Sequence, residues 1–306
     1  MRNLLRIGHC APTVMQTVLD ASHSEAEWLV RLTAGLPGGI GNTRGECGGL
    51  TAPLLAIGLR HPRGQEEAGI PIAVDKGHDL LRRFEAAHGA TRCSAILGDA
   101  RVPVRCVGVV REAPSMCAQC LAAKQRDSLS PATREAYREL YAHWQGEGFH
   151  CADAVFAELE GTVPAPPELR DGTTAFMGGT LFTGMTCSAL TAGVMALGMR
   201  LGEIEDSRVK VLRMIGTMAV GGNASADHLN ASNPVMRLGH DLAEWFTEEF
   251  GSTQCRMLTG RDFSSTADVR DYIANDGTAT CARIARLVAA RVAAVVEASV
   301  DAPSPA

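Results

Sequence analysis

The chain has no excess of positive charge and little lysine. It holds only three lysines, Lys76, Lys124 and Lys210, and its formal net charge is −5. A nucleic-acid partner wants a basic face, so none is expected. Long apolar runs are missing too. The longest, Met185 to Met199, is too short to cross a bilayer and carries small polar residues. The opening stretch "MRNLLRIGHCAPTVMQ" lacks the sustained apolar core of a signal peptide. These absences predict a cytoplasmic protein with no membrane span. Convincing strands are scarce. No paired carboxylates or nucleophile elbow stand out. The stretch "GGIGNTRG" is glycine-rich, but it follows no strand and lacks the P-loop spacing.

What is present is apolar surface and cysteine. Hydrophobic residues make up 46% of 306, enough to build a core in about two domains. Ten cysteines are many for a reducing compartment, where structural disulfides are rare. They point to metal binding, redox chemistry or plain burial.

The chain repeats itself. With Cys47 set on Cys187, residues 35–60 and 175–200 agree at 10 of 26 positions. "GHDLLRRFEAAHGATRC", ending at Cys93, and "GHDLAEWFTEEFGSTQC", ending at Cys255, agree at 8 of 17. "HCAPTV" at His9 matches "HCADAV" at His150, and "CAQ" at Cys117 matches "CAR" at Cys281. A repeat of this size is one structural unit used twice. The first copy is expected over residues 1–128 and the second over 130–300, with a tail at 301–306. "SPATREAYRELYAHW", from Ser130, reads as a capped amphipathic helix opening copy two. Copy two carries 22 extra residues between Cys187 and Cys255, around "SRVKVLRMIGTMAVGGNASADHL". Apolar residues recur at three- and four-residue spacing, so the fold class is all-α. Two helical bundles, separate but packed about a pseudo-twofold axis, are expected. Arg101–Val110 alternates like a strand, yet its partner "DFSSTADVRDYI" does not, so a loop or short helix is expected there.

Four cysteines per copy occupy matching places: Cys10, Cys47, Cys93 and Cys117, then Cys151, Cys187, Cys255 and Cys281. Simple burial accounts poorly for four retained matches, because a small core site accepts alanine or serine. Four thiolates on four helices can converge inside a bundle. Their softness suits iron–sulfur clusters, zinc or Cu(I), and the spacing matches no zinc ribbon. Small residues after Cys47 and Cys187 leave room for a cluster or for a second helix. Cys106 is unmatched and reads as structural, lying apart from the others. Cys120 reads as a buried spare. His9 and His150 sit beside presumed ligands, and His78 and His240 read as helix-start hydrogen-bonders.

This pattern resembles the C_GCAxxG_C_C family, whose members are described as redox-active and carry a lone cysteine, a Cys-Gly-Ala-x-x-Gly motif and two further cysteines. Here the motif reads Cys47-Gly48-Gly49-Leu50-Thr51-Ala52 and Cys187-Ser188-Ala189-Leu190-Thr191-Ala192, each departing at two small positions. The resemblance implies an all-helical domain. A haem-bearing relative, the split-Soret cytochromes, implies an iron–sulfur centre at the cysteines. Covalent haem does not carry over, because attachment needs CxxCH and Leu121 follows Cys117-Ala118-Gln119-Cys120. The expectation is an electron-transfer protein with one four-cysteine iron–sulfur site per copy and an unidentified redox partner. A homo-oligomer stays open. The rivals are a zinc or Cu(I) protein for structure, storage or delivery, and a thiol–disulfide protein.

Overall fold

A computed structural model describes residues 2–61, 69–98, 104–123, 150–203 and 233–300 without 264, with scattered positions within 135–139 and 207–216. Among these residues the chain is helical, and its only β-type pairings are two isolated bridges. The first copy contains α1 (Leu4–Ile7), α2 (Cys10–Ser22), α3 (Trp28–Leu32), α4 (Gly48–Arg60), α5 (Gly69–His88), α6 (Cys93–Leu97) and α7 (Val104–Ala122). The second contains α8 (Cys151–Glu158), α9 (Pro167–Gly172), α10 (Ser188–Leu201), α11 (Pro234–Phe250), α12 (Cys255–Thr259), α13 (Thr266–Ala274) and α14 (Gly277–Val300). Short 3-10 turns follow α3 at Thr33–Gly35 and α9 at Thr173–Phe176. The expected helix from Ser130, most of the 22-residue insertion and the tail lie outside the described residues.

Within each copy, the helices that follow the cysteines pack on one another. Helix α4 lies against α2, α7 and α5, while α10 lies against α8, α14 and α11. Both are apolar almost all round, as a central helix must be. The copies do not keep two cores. One continuous buried cluster contains Val14, Leu54 and Val109 from copy one and Val155, Leu190 and Val288 from copy two. The reason is an exchange of segments. Helix α3 and its 3-10 turn pack on α10 of copy two, and α9 with its turn packs on α4 of copy one.

The crossings are reciprocal, as a pseudo-twofold relation requires. A Cβ on Gly58 of α4 would lie 2.1 Å from the Gly172 carbonyl oxygen, and one on Gly198 of α10 would lie 2.6 Å from that of Leu32. Only glycine admits backbones this close. Residues 38–42 and 178–182 each run through five consecutive positive φ values, a left-handed turn that includes Ile40 and Leu181. Such a turn is costly for L-residues and persists only where packing demands it. It carries Gly41 onto Gly239 of α11, and Leu181 onto Gly77 of α5.

The paired histidines lock these turns. His78 Nε2 lies 2.9 Å from the Leu181 oxygen, and His240 Nδ1 lies 3.3 Å from that of Gly41. They are therefore inter-copy clasps and not helix-start groups, because α5 and α11 begin well before them. The helix-head positions belong to the other pair. His9 and His150 precede α2 and α8, and His150 Nδ1 accepts from the Asp153 N–H at 3.2 Å.

Buried Lys76 closes the end of α7. Its ammonium donates to the carbonyls of Cys120 at 2.7 Å, Leu121 at 3.3 Å and Ala123 at 2.8 Å. Those are the carbonyls a helix end leaves without partners. Lys76→Ala is expected to lower unfolding free energy by about 2 kcal/mol. Urea melts of the two proteins measure this, and equal midpoints would show that water serves those carbonyls as well.

Candidate redox site

Each copy builds its site from helix starts. In copy one, Cys10 begins α2, Cys47 caps α4, Cys93 begins α6 and Cys106 stands in the first turn of α7. In copy two, Cys151 begins α8, Cys187 caps α10, Cys255 begins α12 and Cys281 lies near the head of α14. The second and third cysteines are stitched together by backbone. Cys47 N–H donates to Thr91 at 2.9 Å and Cys93 N–H to Gly45 at 2.7 Å. Cys187 donates to Thr253 at 2.8 Å and Cys255 to Met185 at 2.6 Å. The bridges Glu46–Arg92 and Thr186–Gln254 are this stitch.

In copy one Cys106, and not Cys117, acts electrostatically on Cys10 and Cys47 beside Cys93. Cys47 is electrostatically coupled to Cys10, Cys93 and Cys106, and Cys10 to Cys106 and Cys93. Cys117 stands elsewhere. It is eleven residues further along α7, roughly 16 Å up the helix axis. There its thiol faces the Pro53 oxygen at 3.8 Å, and Cys120 faces Asp79 at 3.6 Å. The expectation that Cys106 lies apart is thus reversed in position. The three-residue likeness of "CAQ" to "CAR" set the wrong register. With Cys106 placed on Cys281, Val109 and Arg111 fall on Ile284 and Arg286. The loop or short helix expected at Arg101–Val110 is, where described, part of a long helix. From Val104 it is the head of α7, and Val109 packs so tightly on α4 that a Cβ on Gly49 would lie 2.3 Å from its Cγ1. The segment "DFSSTADVRDYI" contains α13, which has no counterpart among the described residues of copy one. Cys93 to Cys106 spans 13 residues, Cys255 to Cys281 spans 26, and α13 fills the excess.

In copy two Cys151, Cys255 and Cys281 line one cavity, and buried Cys187 acts electrostatically on Cys151 and Cys255. Cys151 is coupled to Cys281, Cys187 and Cys255, and Cys255 to Cys187 and Cys281. A cavity opens over Cys151, Cys255 and Cys281, walled by Met177, Phe182, Phe263 and Tyr272. The small residues beside the cysteines serve sulfur and helix alike. A Cβ on Gly48 would lie 2.9 Å from Cys10 Sγ.

Burial governs the thiols. It pushes Cys10 up to about 12, with Cys106 and Cys93 adding to the shift. Burial likewise takes Cys106 to about 11 and Cys187 to about 12. Arg44 works the other way on Cys93 and Cys106. Cys281 is the exception. The Cys151 thiol donates to it, the Tyr272 hydroxyl lies 3.5 Å from its sulfur, and its pKa falls to about 7. The partner thiol, Cys151, is held well above its usual value by the same bond.

Among the described residues, no group of three or more His, Cys, Asp or Glu is arranged to hold a metal ion. Nor is any helix there long and apolar enough to cross a membrane. The residues that precede Cys47 and Cys187 meet across the copies. The buried Glu46 carboxylate accepts from the Thr186 N–H at 2.7 Å and from its hydroxyl. Cys47 and Cys187 are the next residues in each copy.

No curated protein and no solved structure matches the chain. One family model does, twice, over residues 8–123 and 149–295, described as "Putative redox-active protein (C_GCAxxG_C_C)". Both matches span the gathered cysteines and together cover most of the sequence, so the chain belongs to the C_GCAxxG_C_C family as two tandem copies.

Proposed function

We propose that the protein transfers electrons through one iron–sulfur cluster per copy, held by Cys10, Cys47, Cys93 and Cys106 and by Cys151, Cys187, Cys255 and Cys281. The observation that carries this reading is the repeated gathering of four thiols, each from the start of a different helix. An all-thiol donor set suits a cluster. A single zinc or Cu(I) ion fits less well, because it needs its ligands drawn onto one point and, among the described residues, no group of three stands so. A polynuclear centre spreads its thiolates around an inorganic core. When bound, it supplies a reversible one-electron couple. The chain's own part is to keep water away, which the apolar cavity walls do, and to offer backbone N–H groups to sulfur, as Gly38 and Ala11 do for Cys10.

Anaerobically purified protein is expected to be brown, with iron and acid-labile sulfide in equal amounts and absorption that bleaches on reduction. Colourless protein free of iron would sink this reading. A second reading has one observation in its favour. The Cys151–Cys281 contact, with its lowered thiol, suits closure to a disulfide. Thiol counts that drop by two on mild oxidation of iron-free protein would support it.

A further inference from the structure

Tyr272 has no counterpart in copy one. The chain contains three tyrosines, and none falls within residues 1–123. Tyr272 lies on α13, the helix that fills the longer interval between the third and fourth cysteines of copy two. An edge-on contact with Phe263, ring centres 5.3 Å apart, fixes its ring, and its hydroxyl reaches 3.5 Å from Cys281 Sγ. In copy one, Cys10, Cys47 and Cys106 take hydrogen bonds from backbone N–H groups, those of Gly38, Ala11, Gly49 and Cys106. Thr259 in copy two also lies beside a sulfur, that of Cys255, while its hydroxyl donates to the Cys255 carbonyl at 2.8 Å. Tyr272 is therefore a side chain by which the two sites differ, and the one that reaches Cys281.

We infer that Tyr272 makes the two centres unequal, so that an electron from an external one-electron donor settles first on copy two. This rests on the iron–sulfur reading. Reduction adds one negative charge, and part of it falls on the ligand sulfurs. A hydroxyl aimed at such a sulfur stabilises the reduced form more than the oxidised one, which raises the potential. Tyr272 is a positioning residue. It acts through Cys281 and holds nothing itself. The link between the copies is short. The path from Cys47 through Glu46 and Thr186 to Cys187 crosses one 2.7 Å hydrogen bond, and covalent dimensions limit the two Cα atoms to about 15 Å apart.

The experiment is a redox titration of anaerobic holoprotein, following the visible spectrum of the parent, Tyr272→Phe and Cys106→Ser. The parent is expected to show two one-electron waves. Cys106→Ser should remove the more negative one. Tyr272→Phe, which keeps the ring and its contact with Phe263, should move the more positive wave down by about 59 mV, a tenfold change in that reduction equilibrium, and leave the other in place. Coincident waves in the parent overturn the inference. So does a Tyr272→Phe variant in which neither wave moves or both move alike. Absence of any wave defeats the iron–sulfur reading instead, and the Tyr272 contact is then judged on iron-free, reduced protein. There, iodoacetamide labelling of Cys281 at fixed pH should slow at least threefold in Tyr272→Phe while labelling of Cys106 stays the same. Unchanged Cys281 labelling would refute the contact.

Discussion

Cys106→Ser is expected to abolish the redox signal of the first copy, while Cys117→Ser leaves it in place. The two cysteines sit eleven residues apart on one helix, roughly 16 Å along its axis, so one site cannot use both. Cys106 shares its surroundings with Cys10, Cys47 and Cys93. Cys117 is fully buried against α4 and carries only its packing. A serine there strands a hydroxyl near the Pro53 oxygen that already takes the thiol, so the cost should stay near 1 kcal/mol. Iron content and the amplitude of each redox wave measure the difference. A full first-copy signal in Cys106→Ser, with loss in Cys117→Ser, would restore the order that the short "CAQ" match suggested.

Gly58→Ala and Gly198→Ala are each expected to lower stability by about 3 kcal/mol. Ordinary helix energetics predict the reverse, since alanine beats glycine by about 1 kcal/mol in a helix interior. Here the new methyl meets backbone of the opposite copy, at 2.1 Å for Gly58 and 2.6 Å for Gly198. Backbone cannot swing away as a side-chain tip does, so the crossing helices must part. Gly108→Ala is the control. It lies on α7 with open space around it, and it should gain stability. Urea unfolding of the three variants gives the answer. A gain in all three would mean that the exchanged segments are not held as described.

The helices and the repeat were legible in the sequence because both are periodic. Three-four spacing marked α2, α5 and α14 plainly. The glycine-rich stretch before Cys47 was visible, but its purpose was not. Positive φ at Ile40 and Leu181 is imposed by packing against the other copy, and no local preference announces it. His78 and His240 failed for the same reason, because their partners lie 103 and 199 residues away. The fourth cysteine of copy one is different. A better signal existed: Cys10, Cys47 and Cys93 all stand at helix starts, and Cys106 does so as well. Valine-rich composition hid that helix start, since β-branched residues favour strands until tertiary packing overrides them.

Segment exchange also sets an order of events during synthesis. Helix α3 finds its partner on α10, which follows about 160 residues later. At ribosomal speed that partner emerges on the order of ten seconds afterwards. Until then Leu29, Val30 and Leu32, buried in the finished molecule, have nothing of copy two to cover them. The left-handed turn before Cys47 is likewise held by α11 and cannot be fixed earlier. The surroundings of Cys47, although written first, are completed only once the second half of the chain has been made.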